Sequence, residues 1–162
     1  MNELTIVCVD DEPEVLEAIR RDLEPFAAWC RIETADDAAD ARSAIAEVVD
    51  DGDLLALVLA DHRLPGETGV DLLVELAHDP ATASARRVLV TGQADLADTV
   101  RAVNEAGLDH FVAKPWGHDA LVAVVRNQLT DYVLAAGLDP LPYVRHLDAQ
   151  RLIGSLRDRG DR

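Results

Sequence analysis

The sequence predicts an α/β fold: five βα units doubly wound about a parallel sheet, then a C-terminal helical extension. Short apolar runs alternate along the chain with stretches of helical pattern, and that alternation implies a parallel sheet covered on both faces. The run Leu54–Ala60 is apolar throughout, and Leu4–Val9 is apolar but for Thr5, rather than alternating, as strands buried on both sides are. The strand order 2-1-3-4-5, flavodoxin-like, is the common solution for five such units. In that order the crevice where ligands bind lies beyond the carboxyl ends of strands 1 and 3, where the winding reverses.

Each element follows from its residues. Leu4-Thr5-Ile6-Val7-Cys8-Val9 is β-branched and ends in acids, a buried strand. Pro13 to about Pro25 reads as a helix, with Pro13 at a first helical position, Glu12, Glu14 and Glu17 early, and Arg20 and Arg21 late. Trp29 to Glu33 alternates as an edge strand does, and the alanine-rich stretch from Asp36 to Val49 is helical. Leu54 to Ala60 is a strand, Leu64 to Gly69 a loop and Val70 to Ala77 a short helix. Arg87 to Thr91 is a strand, Leu96 to Ala106 a helix, Leu108 to Ala113 a strand and His118 to Ala136 a long helix. A boundary is expected at Gly137, before Pro140 and Pro142. It divides a domain at 1–136 from an extension at 137–162.

Composition narrows the partners. The 162 residues carry a formal net charge of −16. Residues 1–136 hold −17 of it, and the extension is +1. So acidic a chain is a poor match for nucleic acid, whose phosphates are bound by clustered Lys and Arg, and for anionic membrane surfaces. No apolar run approaches the roughly 20 residues of a membrane span. Met-Asn-Glu-Leu lacks the basic start of a signal peptide, so a cytoplasmic location is expected. Cys8 and Cys30 lie in apolar runs and read as two buried thiols. Of 15 basic residues only Lys114 is a lysine.

The strand ends collect the chemistry. Asp10 and Asp11 follow the first strand, Asp61 the third, Thr91 ends the fourth, and Lys114 follows the fifth. Singly, each has an ordinary structural alternative: a helix cap for Asp10-Asp11, a turn for Asp61, a strand end for Thr91, a solvated loop for Lys114. Together they form a set. Three crowded carboxylates repel one another. A hard divalent cation relieves that repulsion, and few protein ligands with open water positions suit Mg²⁺ better than Ca²⁺. Asp61 is then placed as a nucleophile that forms an aspartyl-phosphate. Lys114, a compact point charge, neutralises a phosphoryl oxygen, and Thr91 hydrogen-bonds another. Phosphoryl transfer is largely positioning and charge neutralisation, so this short set suffices.

Val-Asp-Asp-Glu at 9–12, Leu-Ala-Asp-His-Arg-Leu-Pro-Gly at 59–66, Val-Thr-Gly at 90–92 and Phe-Val-Ala-Lys-Pro-Trp at 111–116 resemble the receiver domain of bacterial response regulators, over about residues 3–130. The resemblance implies that Asp61 accepts phosphate from a histidine kinase or a histidine phosphotransfer protein. It implies Mg²⁺ ligation by Asp10, Asp11, Asp61 and the backbone carbonyl of Arg63. It implies a cis Lys114–Pro115 bond, and a switch pair in which the Thr91 hydroxyl moves toward the phosphoryl group and the Phe111 ring follows inward. Such a domain is not an enzyme beyond self-phosphorylation and self-dephosphorylation. Arg63 and Gln93 stand at the two positions that tune phosphate lifetime in this family. Phe111 replaces the more frequent Tyr and loses its hydroxyl.

The output surface is expected on the face built from the helix after Thr91, the strand ending at Lys114 and the helix from His118. That face would contact a downstream protein target or a second copy of the chain. The last helix is apolar nearly all round between Ala120 and Val125, with Leu129, Tyr132, Val133 and Leu134 beyond, so it needs a cover. Residues 138–159 folding back and a dimer interface are the two expected covers. The extension is too short for a DNA-binding domain, so the chain reads as a stand-alone regulator or as the receiver of a longer protein. Two other functions fit less well. One is a phosphorylation-independent interaction module of the same fold. The other is a Mg²⁺-dependent aspartyl phosphatase of the haloacid-dehalogenase type, which would need Asp-x-Asp and a cap domain.

Overall fold

Each apolar run becomes a strand. In a computed structural model that describes residues 2–92 and 96–160, the elements in chain order are β1 (Leu4–Val9), α1 (Pro13–Asp22), α2 (Glu24–Ala27), β2 (Cys30–Ala35), α3 (Ala38–Asp50) and β3 (Leu54–Ala60). Then come α4 (Gly69–His78), β4 (Arg86–Thr91), α5 (Leu96–Glu105), β5 (His110–Ala113), α6 (His118–Ala135), a 3₁₀ turn (Leu141–Tyr143) and α7 (Ala149–Gly160). Among the described residues the five strands pair in parallel in the order β2-β1-β3-β4-β5, as the sequence predicts.

The pleat sends successive side chains to opposite faces. Leu4, Ile6, Cys8, Leu57 and Leu59 enter a core shared with α1, α2 and α6. Val7, Val9, Val58 and Ala60 enter a second core against α3, α4 and α5. Both cysteines are free and buried. Burial pushes each thiol up to about 12, too high for thiolate chemistry at neutral pH.

Several element boundaries differ from expectation by a residue or two, and three of the differences have clear physical reasons. The single helix expected from Pro13 to Pro25 breaks at Leu23, and Pro25 sits in the first turn of α2. A continuing helix would require the N–H that proline lacks and would push its ring against the carbonyl of Arg21. α3 starts later because Asp37 caps it, its carboxylate accepting the Asp40 N–H at 2.7 Å. The fifth strand is shorter than expected, because Asp109 turns its carboxylate onto the Arg87 N–H at 2.8 Å before pairing begins at His110.

The chain reverses at Gly137. The Gly137 N–H reaches the Leu134 carbonyl and the Leu138 N–H the Val133 carbonyl, which closes the end of α6. This closure requires φ of +68° at Gly137, a conformation costly for a side chain. The extension then folds back onto α6, the first of the two expected covers. Leu147 and Leu152 are buried in the same core as Leu129, Tyr132 and Val133. His146 stacks on Trp29 with ring centroids 4.8 Å apart. Thr130 Oγ1 accepts the Asp148 N–H at 3.2 Å, and Arg151 pairs with Asp131. No helix among the described residues is long and apolar enough to cross a membrane.

The connection into α6 is tied to α1 through Asp22. Its buried carboxylate accepts the Trp116 Nε1–H at 2.7 Å and lies 2.8 Å from His118 Nδ1. Burial alone would raise the Asp22 pKa, but the hydrogen bonds from Trp116 and His118, with the charges of His118 and Arg21, outweigh it and hold the carboxyl below its ordinary 3.8. A lowered folded pKa adds stability that is complete above the unfolded value and disappears as pH falls through the folded one. Trp116→Phe removes one donor and is expected to cost about 1–3 kcal/mol near neutrality. The gap from wild type should close on acidification below pH 3.8. Urea unfolding at a series of pH values checks both statements, and a gap independent of pH would refute them.

Candidate functional site

Sheet register brings the carboxylates together. Val9 pairs with Ala60 across β1 and β3, so Asp10 and Asp61 leave neighbouring strands at the same level. The ladder runs one residue further on each: the Asp10 N–H bonds the Ala35 carbonyl at 3.1 Å and the Asp61 N–H the Val9 carbonyl at 2.9 Å. Asp10 is 1% and Asp61 6% exposed, whereas Asp11 faces solvent. One carboxylate oxygen from each of Asp10, Asp11 and Asp61 lies within 4.8 Å of the other two.

Lys114 arrives from the far side. Thr91 pairs with Ala113, and the Lys114 N–H bonds the Thr91 carbonyl at 3.2 Å. The Lys114–Pro115 bond is cis, as the sequence resemblance implies. Lys114 Nζ donates to Asp10 Oδ2 at 2.6 Å and to Asp61 Oδ2 at 3.2 Å. Burial lowers the ammonium's pKa, but the hydrogen bond and charge of Asp10 and the charge of Asp61 outweigh it and hold the pKa above 10.5. Asp10 does not cap α1. Its Oδ1 accepts the Glu12 N–H at 2.9 Å, and the N-cap residue Glu12 makes no side-chain cap bond.

These groups border a cavity of about 400 Å³, lined by Asp11, Glu12, Asp61, Arg63, Thr91, Gly92 and Lys114. Thr91 is buried at its edge, and Arg63 is exposed. Phe111 lies apart, on β5 and 38% exposed. Gln93 lies outside the described residues.

The loop after Asp61 is shaped by a glycine whose role the sequence does not announce. Gly69 opens α4 with its N–H on the His62 carbonyl at 2.9 Å. A Cβ there would stand 1.9 Å from the Asp61 carbonyl oxygen. Gly69→Ala must therefore push the Asp61 backbone away, and we expect a loss of about 2–3 kcal/mol together with a displaced Asp61 carboxylate. Melting of the variant and its crystal structure check this; a wild-type melting temperature with Asp61 unmoved would refute it. The sequence also misses the Asp22–Trp116–His118 bonds, whose partners are nearly a hundred residues apart, and the contacts of His62. The sequence places Glu12 at the helix start and in the Val-Asp-Asp-Glu motif, and the fold adds it to the cavity lining.

Fold and site thus define a doubly wound α/β domain with an acidic, lysine-capped crevice at its strand carboxyl ends. The chain belongs to the response regulator receiver domain family, whose model matches residues 6–126. It is 34% identical over 144 residues to the hydrogenase transcriptional regulatory protein HoxA of Bradyrhizobium diazoefficiens, covering 83% of this chain and 27% of that protein. It is 31% identical over 134 residues to the transcriptional regulatory protein KdpE of Mycobacterium tuberculosis, covering 83% of this chain and 54% of that protein. The chain therefore spans only part of the length of these relatives. Among solved structures, the signal receiver domain of an HD domain-containing protein from Pseudomonas fluorescens Pf-5 superposes with a TM-score of 0.74 at 25% identity, covering 85% of this chain and 94% of that one. A CheY-like receiver domain protein from Methanospirillum hungatei JF-1 gives 0.69 at 26% identity, covering 81% and 97%. Receiver domains of response regulators are in general phosphoacceptors rather than enzymes, and they bind Mg²⁺ at an acidic pocket.

Proposed function

We propose that Asp61 accepts a phosphoryl group from a phosphohistidine on a histidine kinase or phosphotransfer protein, and that the modified domain switches its protein contacts. The observation that carries this reading is the cluster itself: three carboxylates within 4.8 Å of one another, with Lys114 Nζ bonded to two of them.

The donor set fits Mg²⁺, being hard oxygen ligands at an open cavity. Asp10, Asp11, Asp61 and the Arg63 carbonyl would hold the ion, and when bound it neutralises phosphoryl charge. Asp61 presents a carboxylate oxygen to the phosphorus. The O–P bond forms as the P–N bond to the donor histidine breaks, and the imidazole leaves with the electron pair. The Lys114 ammonium shifts a hydrogen bond from Asp61 to a phosphoryl oxygen. The Thr91 hydroxyl donates to another, and the exposed Phe111 ring follows it inward. Phosphorylation adds about −1.5 to −2 charges at the strand end, which biases the face of α5, β5 and α6. That face would meet the downstream target or a second copy of the chain. Residues 1–136 would form the phosphoacceptor unit and 137–162 an extension integral with its core, working in the cytoplasm, with nucleic acid and membrane surfaces not among its partners.

The test is incubation with Mg²⁺ and a small phosphodonor, followed by intact-mass measurement. A phosphoryl adduct that requires Asp61 is expected. A wild-type protein that takes up no label would overturn the reading.

A further inference from the structure

α5 is lightly held by apolar packing. Among its described side chains only Ala102 is buried, whereas Val100 and Val103 are 47% and 53% exposed. Two polar bridges attach it to the segment that begins at Asp61. His62 is buried, and its Nε2 lies 3.1 Å from Asp98 Oδ2. Arg101 NH1 lies 2.6 Å from Asp71 Oδ1 in the first turn of α4. Asp98 and Arg101 are three residues apart and so share a face of α5.

The other end of each bridge lies on the segment that follows Asp61. His62 follows Asp61 directly, and its carbonyl takes the Gly69 N–H, which closes residues 62–69 into a tight loop. The imidazole Nδ1 is buried without a hydrogen-bond partner among the described residues. The single polar contact of the ring is therefore spent on α5, and its Nε2–H is the donor to Asp98. A buried ring that faces one helix through one bond constrains where that helix can sit.

We propose that His62 is a positioning residue that, with Asp98 and the supporting Asp71–Arg101 bridge, clamps α5 onto the loop carrying Asp61 and so holds α5 in its resting place. The clamp is a property of the unmodified fold. Its action as a brake on switching rests on the phosphoacceptor reading above.

The experiment measures amide hydrogen exchange across residues 96–106 without Mg²⁺ or phosphodonor, in wild type, Asp98→Ala, His62→Leu and the double variant. Each single variant is expected to exchange about 5- to 20-fold faster in α5, and the double variant no faster than the faster single. Unchanged exchange in both singles, or a double effect equal to their product, would overturn the clamp. If either variant fails to fold, Arg101→Gln cuts the exposed bridge and reads the same exchange. A beryllium fluoride titration with Mg²⁺ then reads the brake. Asp98→Ala is expected to reach half-saturation at about 3- to 10-fold lower concentration than wild type, and equal midpoints would exclude the brake. A wild-type protein that never responds to beryllium fluoride would reject the phosphoacceptor reading, while the exchange data still decide the clamp.

Discussion

Asp61→Asn is expected to lower phosphoryl incorporation by on the order of a thousandfold or more while leaving the fold intact. The amide is isosteric but is not an anionic nucleophile, and loss of a nucleophile is not recovered by its neighbours. Asp10 and Asp11 stand close by, yet Asp10 is engaged by Lys114 and by the Glu12 N–H. Stability should change little. The substitution relieves repulsion among three carboxylates and removes one of the two partners of Lys114, effects of opposite sign. Mg²⁺ affinity should fall with the loss of one charged ligand. Intact mass after exposure to phosphodonor, and Mg²⁺ titration followed by tryptophan fluorescence, measure the two effects. Label retained at wild-type rate would move the acceptor elsewhere.

Removing residues 138–162 is expected to cost more than about 3 kcal/mol, or roughly 6–12 °C in Tm. The extension contributes Leu147 and Leu152 to the core and packs Leu138, Tyr143 and Val144 against it. Its loss strips cover from Leu129, Tyr132 and Val133 on α6 and removes the stacking partner of Trp29. Arg86, which reaches both Asp109 and Asp131 at the start of β4, loses the neighbouring Arg151–Asp131 pair. Leu152→Ala is the gentler version and should cost about 2–5 kcal/mol, because a fully buried leucine leaves a cavity. Melting and solution mass of the truncated chain decide the point. A monomer with unchanged melting would show that the extension lies on the domain without stabilising it.

The legibility of the site had a physical basis. Asp10, Asp61, Thr91 and Lys114 each stand at the carboxyl end of a strand. Lys114 follows the short edge strand β5, three of whose four residues are exposed, but the central strands β1 and β3 are buried on both faces and so read as apolar runs. Finding the runs therefore located the residues beyond them. The break at Leu23 was also written in the sequence, at Pro25, and needed only stricter use of proline's missing N–H. Gly69 was not legible, because a glycine at a helix start is common and its need appears only once the Asp61 carbonyl is placed 1.9 Å from the missing Cβ.

The sequence by itself determined the five strands and the five polar residues at their ends, because local apolar pattern and turn chemistry are carried by neighbours along the chain, and the strand order followed as the common arrangement of five βα units. Tertiary structure alone decided which charges touch. Lys114 bonds Asp10 across 104 residues, His62 meets Asp98, and Leu152 enters the core beside Leu129. Such contacts depend on strand register, helix rotation and the course of the chain after Gly137, and no periodicity in the sequence encodes those distances. Three of the 31 acidic residues therefore meet at one crevice, and the single lysine is the cation that faces them.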